Sequence, residues 1–346
     1  VAFLYTILTF VDMEPLRYSF IIPVYNRPKE IEELLESFSK LKGSISFEIV
    51  IVEDGSTQTS EHVISDYNDK LNISYFFKKN SGPGDSRNYG MKYAKGNYYI
   101  ILDSDVILPE NYLIETDNFL NNKFYHCFGG PDAAHSTFSN LQKSINFAMT
   151  SFITTGGIRG GSEALEDFQP RSFNMGLSKE AFIATGGFGK VHPGEDPDLV
   201  LRLKALNYKT TLLKNAYVYH KRRISWRKFY KQVNKFGQVR PILNKWHPSS
   251  KKITYWFPTI FTLGILLSTL LLFLHIYIPI YVYGFYFLLV LILSTVSNKN
   301  IWVGFQSLLA VCVQFFGYGY GFLISTIKLK VLKGKPEKIF PKLFFK

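Results

Sequence analysis

From Tyr18 onward, short β-branched apolar runs alternate with stretches whose apolar residues recur every three or four positions. Runs at 19–24, 47–52, 73–77 and 98–102 predict strands, and 28–41, 59–71 and 86–94 predict the helices between them. A series of this kind builds a doubly wound, mostly parallel α/β sheet, because parallel neighbours need a crossover long enough to hold a helix. Ligands on such sheets sit beyond the carboxyl ends of the strands, which is where chemistry is to be sought.

The pattern changes after residue 220. Residues 253–274, 276–296 and 301–327 are each about 20 residues or more with almost no charge, enough to cross a bilayer core of roughly 30 Å. None has the polar face that a helix buried in a soluble core would turn to water. Trp256, Tyr277, Tyr281 and Trp302 stand near the ends, as interfacial aromatics do. Gln306, Gln314, Gly317, Gly319 and Gly321 soften the third run, leaving it either a full crossing or a re-entrant or interfacial segment. Ahead of these runs, Trp226, Phe229, Tyr230, Val233 and Phe236 recur at helical steps, with Arg227, Lys228, Lys231 and Lys235 on other faces. Residues 224–246 therefore predict a basic amphipathic helix on a membrane surface, kinked or ended by Pro241.

Charge sharpens this division. The net charge of +13 is uneven: residues 199–346 hold 23 bases and one acid, Glu337, whereas the residues before them hold 17 bases and 26 acids. Because the basic half is also the apolar half, its expected partner is anionic lipid and not nucleic acid. Twelve Lys or Arg between Lys214 and Lys252, with no acid, put the N-terminal half in the cytoplasm by the positive-inside rule. One conflict follows: three full crossings would export the tail from Lys328, which carries seven lysines and one glutamate. At 47% apolar and 16% aromatic the chain is no disordered polymer, and Cys127 and Cys312 alone make no disulfide framework, which fits a reducing compartment. The 11-residue run from Val1 to Val11 is too short to span and lacks a basic flank or cleavage site, so 1–17 is set apart as a lead-in. The expected organisation is a sheet domain at 18–222, a basic interfacial segment at 223–252, two or three spans within 253–327, and a basic tail at 328–346.

The turn after the first strand, Pro23-Val24-Tyr25-Asn26, has no glycine, and no GxxxxGK[ST] occurs anywhere, which argues against dinucleotide and P-loop readings. The second strand ends in Glu53-Asp54-Gly55-Ser56, where Asp54 can accept hydrogen bonds from a base or ribose or simply open a turn. After the fourth strand come Asp103-Ser104-Asp105, two carboxylates suited to the incomplete oxygen shell of Mg²⁺ or Mn²⁺ that substrate phosphates finish. Gly194-Glu195-Asp196 and Asp198 precede a helical stretch, either as a general base with neighbours or as acids complementing a helix dipole. The segment 150–171, with Gly156, Gly157, Gly160 and Gly161, reads as a loop closing over a ligand or as a plain connection.

Taken in order, FIIPVYNRP, IVEDGS, GPGDSRNYG, ILDSD, FNMGLSKEAFIATGGF, GEDPDL and VYH resemble glycosyltransferase family 2, inverting enzymes of the GT-A nucleotide-sugar fold, here of a membrane-anchored bacterial type. The resemblance covers about 18–220. It implies that Tyr25 stacks on the nucleotide base beside Pro23, that Asp54 and Arg87 contact the nucleotide, and that Asp103 approaches the ribose. It further implies Asp105 and His220 as metal ligands, Asp196 as catalytic base with Glu195 as its rival, and a divalent metal, Mg²⁺ or Mn²⁺, as cofactor. The expected activity is transfer of one sugar from a nucleoside diphosphate sugar, UDP being the family's commonest nucleotide, to a glycan or lipid-linked acceptor at the cytoplasmic membrane. Processive synthases of the family carry QxxRW near the membrane, whereas Gln238-Val239-Arg240-Pro241 stands here, which favours single transfers. Two other classes stay open: a catalytically silent nucleotide-sugar-binding membrane protein, and a nucleotidyltransferase, which would typically carry a glycine-rich loop with a phosphate-binding Lys or Arg after the first strand, where only Arg27 is nearby.

Overall fold

The computed structural model describes residues 15, 17–133, 138–156, 168–220 and 225–345. The lead-in at 1–14, Gly157, Gly160, Gly161, Lys221, Arg222 and the side chain of His220 lie outside the described residues. The chain runs β1 (Tyr18–Val24), α1 (Pro28–Phe38), β2 (Phe47–Asp54), α2 (Glu61–Ser65), β3 (Ile73–Lys78), α3 (Pro83–Tyr93) and β4 (Tyr98–Leu102). It continues with β5 (Val106–Ile107), α4 (Tyr112–Asn122), β6 (Cys127–Gly129), β7 (Asp132–Ala133), α5 (Asn140–Thr150) and α6 (Phe152–Thr155). The domain closes with β8 (Asn174–Ser178), α7 (Lys179–Thr185), α8 (Glu195–Ala205), β9 (Thr210–Leu212) and β10 (Val218–His220).

Seven strands form one sheet in the order β3-β2-β1-β4-β8-β6-β9. β3, β2, β1 and β4 are mutually parallel, while β8 runs antiparallel to both β4 and β6. The parallel half is buried on both faces, which is why its strands read as continuous apolar runs. Phe20, Ile22, Ile49, Ile51 and Ile100 face one layer of the core with Leu34 and Leu35 of α1, and Ile21, Val50, Val52 and Ile101 face the other with Met91 of α3 and Leu199 of α8. Pro23 is tolerated inside β1 because the ladder to β4 ends at Ile21, so its missing N–H costs no bond on that side. The helix expected over 59–71 shrinks to α2, since Asp66, Asn68 and Asp69 favour turns over helix interior.

Beyond the sheet come α9 (Trp226–Trp246), α10 (Phe257–Leu271), α11 (Ile278–Asn298), α12 (Ile301–Leu332) and the short α13 (Pro336–Ile339). Three helical stretches, Ile253–Leu274, Ile278–Asn298 and Ile301–Leu332, are long and apolar enough to cross a membrane. One expectation is corrected. Pro241 neither ends nor breaks α9, which continues to Trp246, because Val239, Ile242 and Leu243 on either side of it are anchored in a shared core. The third apolar run, left open as a full crossing or a re-entrant or interfacial segment, is helical through its glycines. α12 is a single 32-residue helix, about 48 Å long at 1.5 Å per residue, and its glycines admit neighbouring helices. A Cβ on Gly321 would meet the Asn234 carbonyl oxygen at 2.3 Å, and one on Gly319 the Pro258 oxygen at 2.7 Å. Conversely, a Cβ on Gly237 of α9 would lie 2.2 Å from the Tyr318 oxygen of α12.

The apolar stripe of α9 is therefore covered largely by α12: Phe229 and Val233 share a cluster with Ala310, Val311 and Phe315, joined by Ile145 and Ala148 of α5. α10 and α11 keep mostly bare apolar faces, with Leu263, Leu267, Phe285 and Leu293 exposed. The tail after α12 turns back onto the sheet domain. His192 N–H donates to the Leu343 oxygen at 2.7 Å, Phe345 N–H to the Lys190 oxygen at 3.1 Å, and Phe340 and Leu343 pack with Val191, Val239 and Ile242.

Candidate active site

The turn leaving β1 presents Tyr25 with 53% of its surface exposed, an open ring at a strand end. Asn26 holds that turn at φ +53°, and its side-chain oxygen accepts from the Thr57 and Gln58 N–H groups at 2.8 and 2.9 Å. The loops after β1 and β2 are thus stapled together, and asparagine is among the few residues that tolerate this backbone region. Pro23 lies half-buried beneath them.

Asp54 ends β2 with its carboxylate engaged. Its Oδ1 accepts from Lys78 Nζ at 2.6 Å and Ser81 N–H at 3.0 Å, and its Oδ2 from Gly82 N–H at 2.9 Å. These bonds are those of the turn-forming alternative, fixing the β3–α3 turn that starts the helix carrying Arg87.

Arg87 is only 4% exposed and bridges two acids. Its Nη2 donates to Asp103 Oδ1 at 2.8 Å and its Nη1 to Glu195 Oε1 at 3.2 Å, while the guanidinium lies 5.3 Å from the centre of the Phe188 ring. Asp103 stands at the end of β4, and two residues on, Asp105 Oδ2 accepts from Arg27 Nη1 at 2.5 Å. β5 then pairs antiparallel with β10 so that His220 lies opposite Val106, placing the His220 backbone beside the residue after Asp105. Asp103 and Asp105 are hard oxygen donors of the kind Mg²⁺ and Mn²⁺ take, so the donor chemistry fits such an ion. Among the described residues no group of three His, Cys, Asp or Glu side chains is arranged to hold one.

The three acids at the start of α8 do different things. Glu195 is buried against Arg87 and accepts from His192 Nδ1 at 3.0 Å. Burial alone would raise its pKa, but the His192 hydrogen bond, the His192 charge and the Arg87 charge together bring it from 4.5 down to about 2. Asp198 Oδ2 accepts from Arg202 Nε at 3.0 Å and its Oδ1 lies 2.8 Å from His247 Nε2, so it ties α8 to the end of α9 as well as complementing a helix start. Asp196 lies 3.7 Å from Arg171 Nη1, keeps 16% of its side chain exposed, and lines a cavity of about 1190 Å³. Gly194, at φ +121°, seats this loop on α9, where a Cβ would be 2.4 Å from Val239 Cγ1.

Sequence reasoning singled out Tyr25, Arg87, Asp103, Asp105, Glu195 and Asp196, and the fold brings the last five around one cavity, with Tyr25 and Asp54 outside its lining. It missed Arg171, which reaches Asp196 only through tertiary contact, and His192, whose only signal is its place three residues before Glu195.

An α/β domain with acids gathered at the carboxyl ends of parallel strands is the class defined by this geometry. The glycosyl transferase family 2 profile matches residues 19–182, so this stretch of the sheet domain is similar to that family. Poly(ribitol-phosphate) beta-N-acetylglucosaminyltransferase TarS of Staphylococcus aureus is 34% identical over 109 residues, 31% of this chain and 19% of TarS. Minor teichoic acid biosynthesis protein GgaB of Bacillus subtilis is 35% identical over 107 residues, 30% of this chain and 12% of GgaB. The matched stretch thus spans less than a fifth of either relative. Mannosyltransferase PcManGT from Pyrobaculum calidifontis, solved with GDP-Man and Mn²⁺, aligns with a TM-score of 0.51 over 87% of both chains at 14% identity, a likeness of fold.

Proposed function

We propose that this chain is a membrane-associated inverting glycosyltransferase that moves one sugar from a nucleoside diphosphate sugar, a UDP sugar by family preference, to a lipid-linked or other glycan acceptor. The observation that carries it is Asp196, opening on a cavity that begins at Arg87, Asp103 and Asp105 and extends along α9 to the start of α10 and the middle of α12. Tyr25 offers a flat face for the nucleotide base. Asp105 with Asp103 would hold Mg²⁺ or Mn²⁺, with His220 on the neighbouring strand as a further ligand; the ion supplies charge neutralisation for the departing diphosphate. Asp196 takes the proton of the acceptor hydroxyl as its oxygen bonds to the anomeric carbon, and the bond to the diphosphate breaks on the opposite face, which inverts the configuration. Glu195, held ionised by Arg87 and His192, orients Arg87 toward Asp103.

The names of the relatives, an N-acetylglucosaminyltransferase and a teichoic acid biosynthesis protein, support transfer onto a cell-envelope precursor. The docked tail bears on topology. If the sheet domain is cytoplasmic, a tail bonded to Lys190 and His192 is cytoplasmic too, so the chain crosses the membrane an even number of times. α10 and α11, with bare apolar faces, form the spanning hairpin, and α12 stays against the domain at the cytoplasmic interface. This arrangement avoids the conflict between three crossings and a lysine-rich tail. Anionic headgroups then face the basic side of α9.

The test is the product. Incubation with UDP sugars and membrane lipid extract should release UDP and yield a glycoside of inverted configuration, and Asp105→Ala should lose Mn²⁺-dependent donor binding. Pyrophosphate release would identify a nucleotidyltransferase instead, and donor binding without turnover a silent protein.

A further inference from the structure

The cavity at Asp196 has two chemically different ends. Its inner end is acidic, with Asp103, Asp105, Glu195 and Asp196. Its outer wall is made by α9, the start of α10 and the middle of α12, and between Asp198 and Glu337 the chain has no acidic residue. Lys228, Lys231 and Lys235 line this wall on successive turns of α9, so the side chains facing the outer cavity are cationic.

Deeper on the same helix lies Arg240. Its guanidinium stacks on the Tyr255 ring at 4.4 Å, which fixes the plane of the donor fork. Its Nη1 is buried without a hydrogen-bond partner in the described structure, and so is Gln314 Oε1 across the cavity on α12. Burying a guanidinium N–H unpaired is costly, which marks the position of a missing acceptor oxygen. Arg240 follows Val239, the residue that touches Gly194, so the unpaired donor stands next to the loop carrying Asp196. Beyond Arg240 the lining turns apolar: Phe257 and Ile260 of α10, Phe315 and Tyr318 of α12. Phe257 and Ile260 are also exposed, so this end opens toward the bare faces of the apolar helices.

From base to mouth, the sequence of environments is carboxylate, cation, hydrocarbon. We infer that this cavity is the acceptor site for a prenyl-type lipid whose phosphate sits on Arg240, with Lys231 and Lys235 at its rim and the hydrocarbon chain running along Phe257 and Phe315. The inference rests on the transferase reading above and specifies its acceptor. Because Asp196 must take a proton, the nucleophile is a hydroxyl and not the phosphate oxygen; the acceptor is a saccharide joined through phosphate to lipid, with the sugar between Arg240 and Asp196. A planar guanidinium meets two phosphate oxygens at once, which a lysine cannot do.

The experiment uses the full chain in detergent and three probes without donor: farnesyl phosphate, farnesol and inorganic phosphate. Farnesyl phosphate should raise the melting temperature and bind at least tenfold more tightly than either other probe, and Arg240→Gln should weaken it at least tenfold. Equal binding of farnesol would make the cavity a plain apolar groove, and equal binding of inorganic phosphate an anion site without a lipid; either overturns the inference, as does undiminished binding by Arg240→Gln. Should that variant fail to fold, the three-probe comparison on the unaltered protein decides. Stabilisation by a panel of nucleotide sugars is measured in parallel: loss of donor binding would sink the transferase reading, whereas donor binding without farnesyl phosphate binding would sink only this one.

Discussion

The backbone N–H of His192 donates to the carbonyl of Leu343 at 2.7 Å, tying the loop that presents Glu195 and Asp196 to the far end of the chain. The same loop rests on α9 through Gly194 and Val239. The geometry proposed for the active site therefore depends on α9 and the tail, although the sheet residues end at His220.

Removing residues 336–346 should consequently slow transfer by about 10²-fold, the usual cost of misplacing a catalytic group by roughly 1 Å. Donor binding at Tyr25 should persist. Steady-state rates beside nucleotide-sugar titrations check this; a truncated protein with full turnover would show the tail to be dispensable.

Asp196→Asn should leave donor affinity intact and slow transfer by roughly 10² to 10⁴, the contribution of a general base. Asp198→Asn should act on stability instead, because Arg202 and His247 lose a charged partner, at a cost of about 1–3 kcal/mol. Single-turnover assays and thermal melts of both variants separate the two roles. Asp196→Asn with near-normal transfer, beside an inactive Glu195→Gln, would move the base by one residue.

Glu195 makes stability depend on acid. Its folded pKa is depressed to about 2 from 4.5, so its ion pair with Arg87 contributes fully above 4.5, and that contribution disappears as the pH falls from 4.5 through 2. Melting temperature against pH should fall over that window. Glu195→Gln should flatten this part of the profile, and an unchanged acid limb in the variant would assign the effect elsewhere.

Gly237→Ala should destabilise the chain by about 1–3 kcal/mol, since the added methyl meets the α12 backbone and not a flexible side chain. Gly284→Ala is the control, because nothing lies within 4 Å of its added carbon. Melts in one detergent compare the pair directly.

Topology can be read with single cysteines in a background lacking Cys127 and Cys312. A membrane-impermeant thiol reagent applied to intact cells should label residue 276, between α10 and α11, but neither 299 nor 342. Labelling at 342 would restore three crossings and place the tail away from the sheet domain.

Strand and helix order from β1 to β4 was legible from the sequence because burial on both faces leaves continuous apolar runs, and acids after β2 and β4 stand out against them; β5 to β10, short and partly antiparallel, were not. Arg87, Asp103 and Glu195 were legible as separate motifs, but that one guanidinium joins two of them depends on α3 and α8 packing on the same face of the sheet. Asp54 left its two readings open, since its partners at 78–82 come from a strand that must first pair with β2. The apolar stripe of α9 and the glycines of α12 were visible, yet periodicity states only that a face is covered. Lipid and a second helix satisfy the same pattern, and choosing between them took the close approach of the two backbones. The tail's contact with Lys190 and His192, about 150 positions earlier in the numbering, leaves no trace in local spacing, because it is made by one hydrogen bond to each and a few buried side chains that only the folded chain brings together.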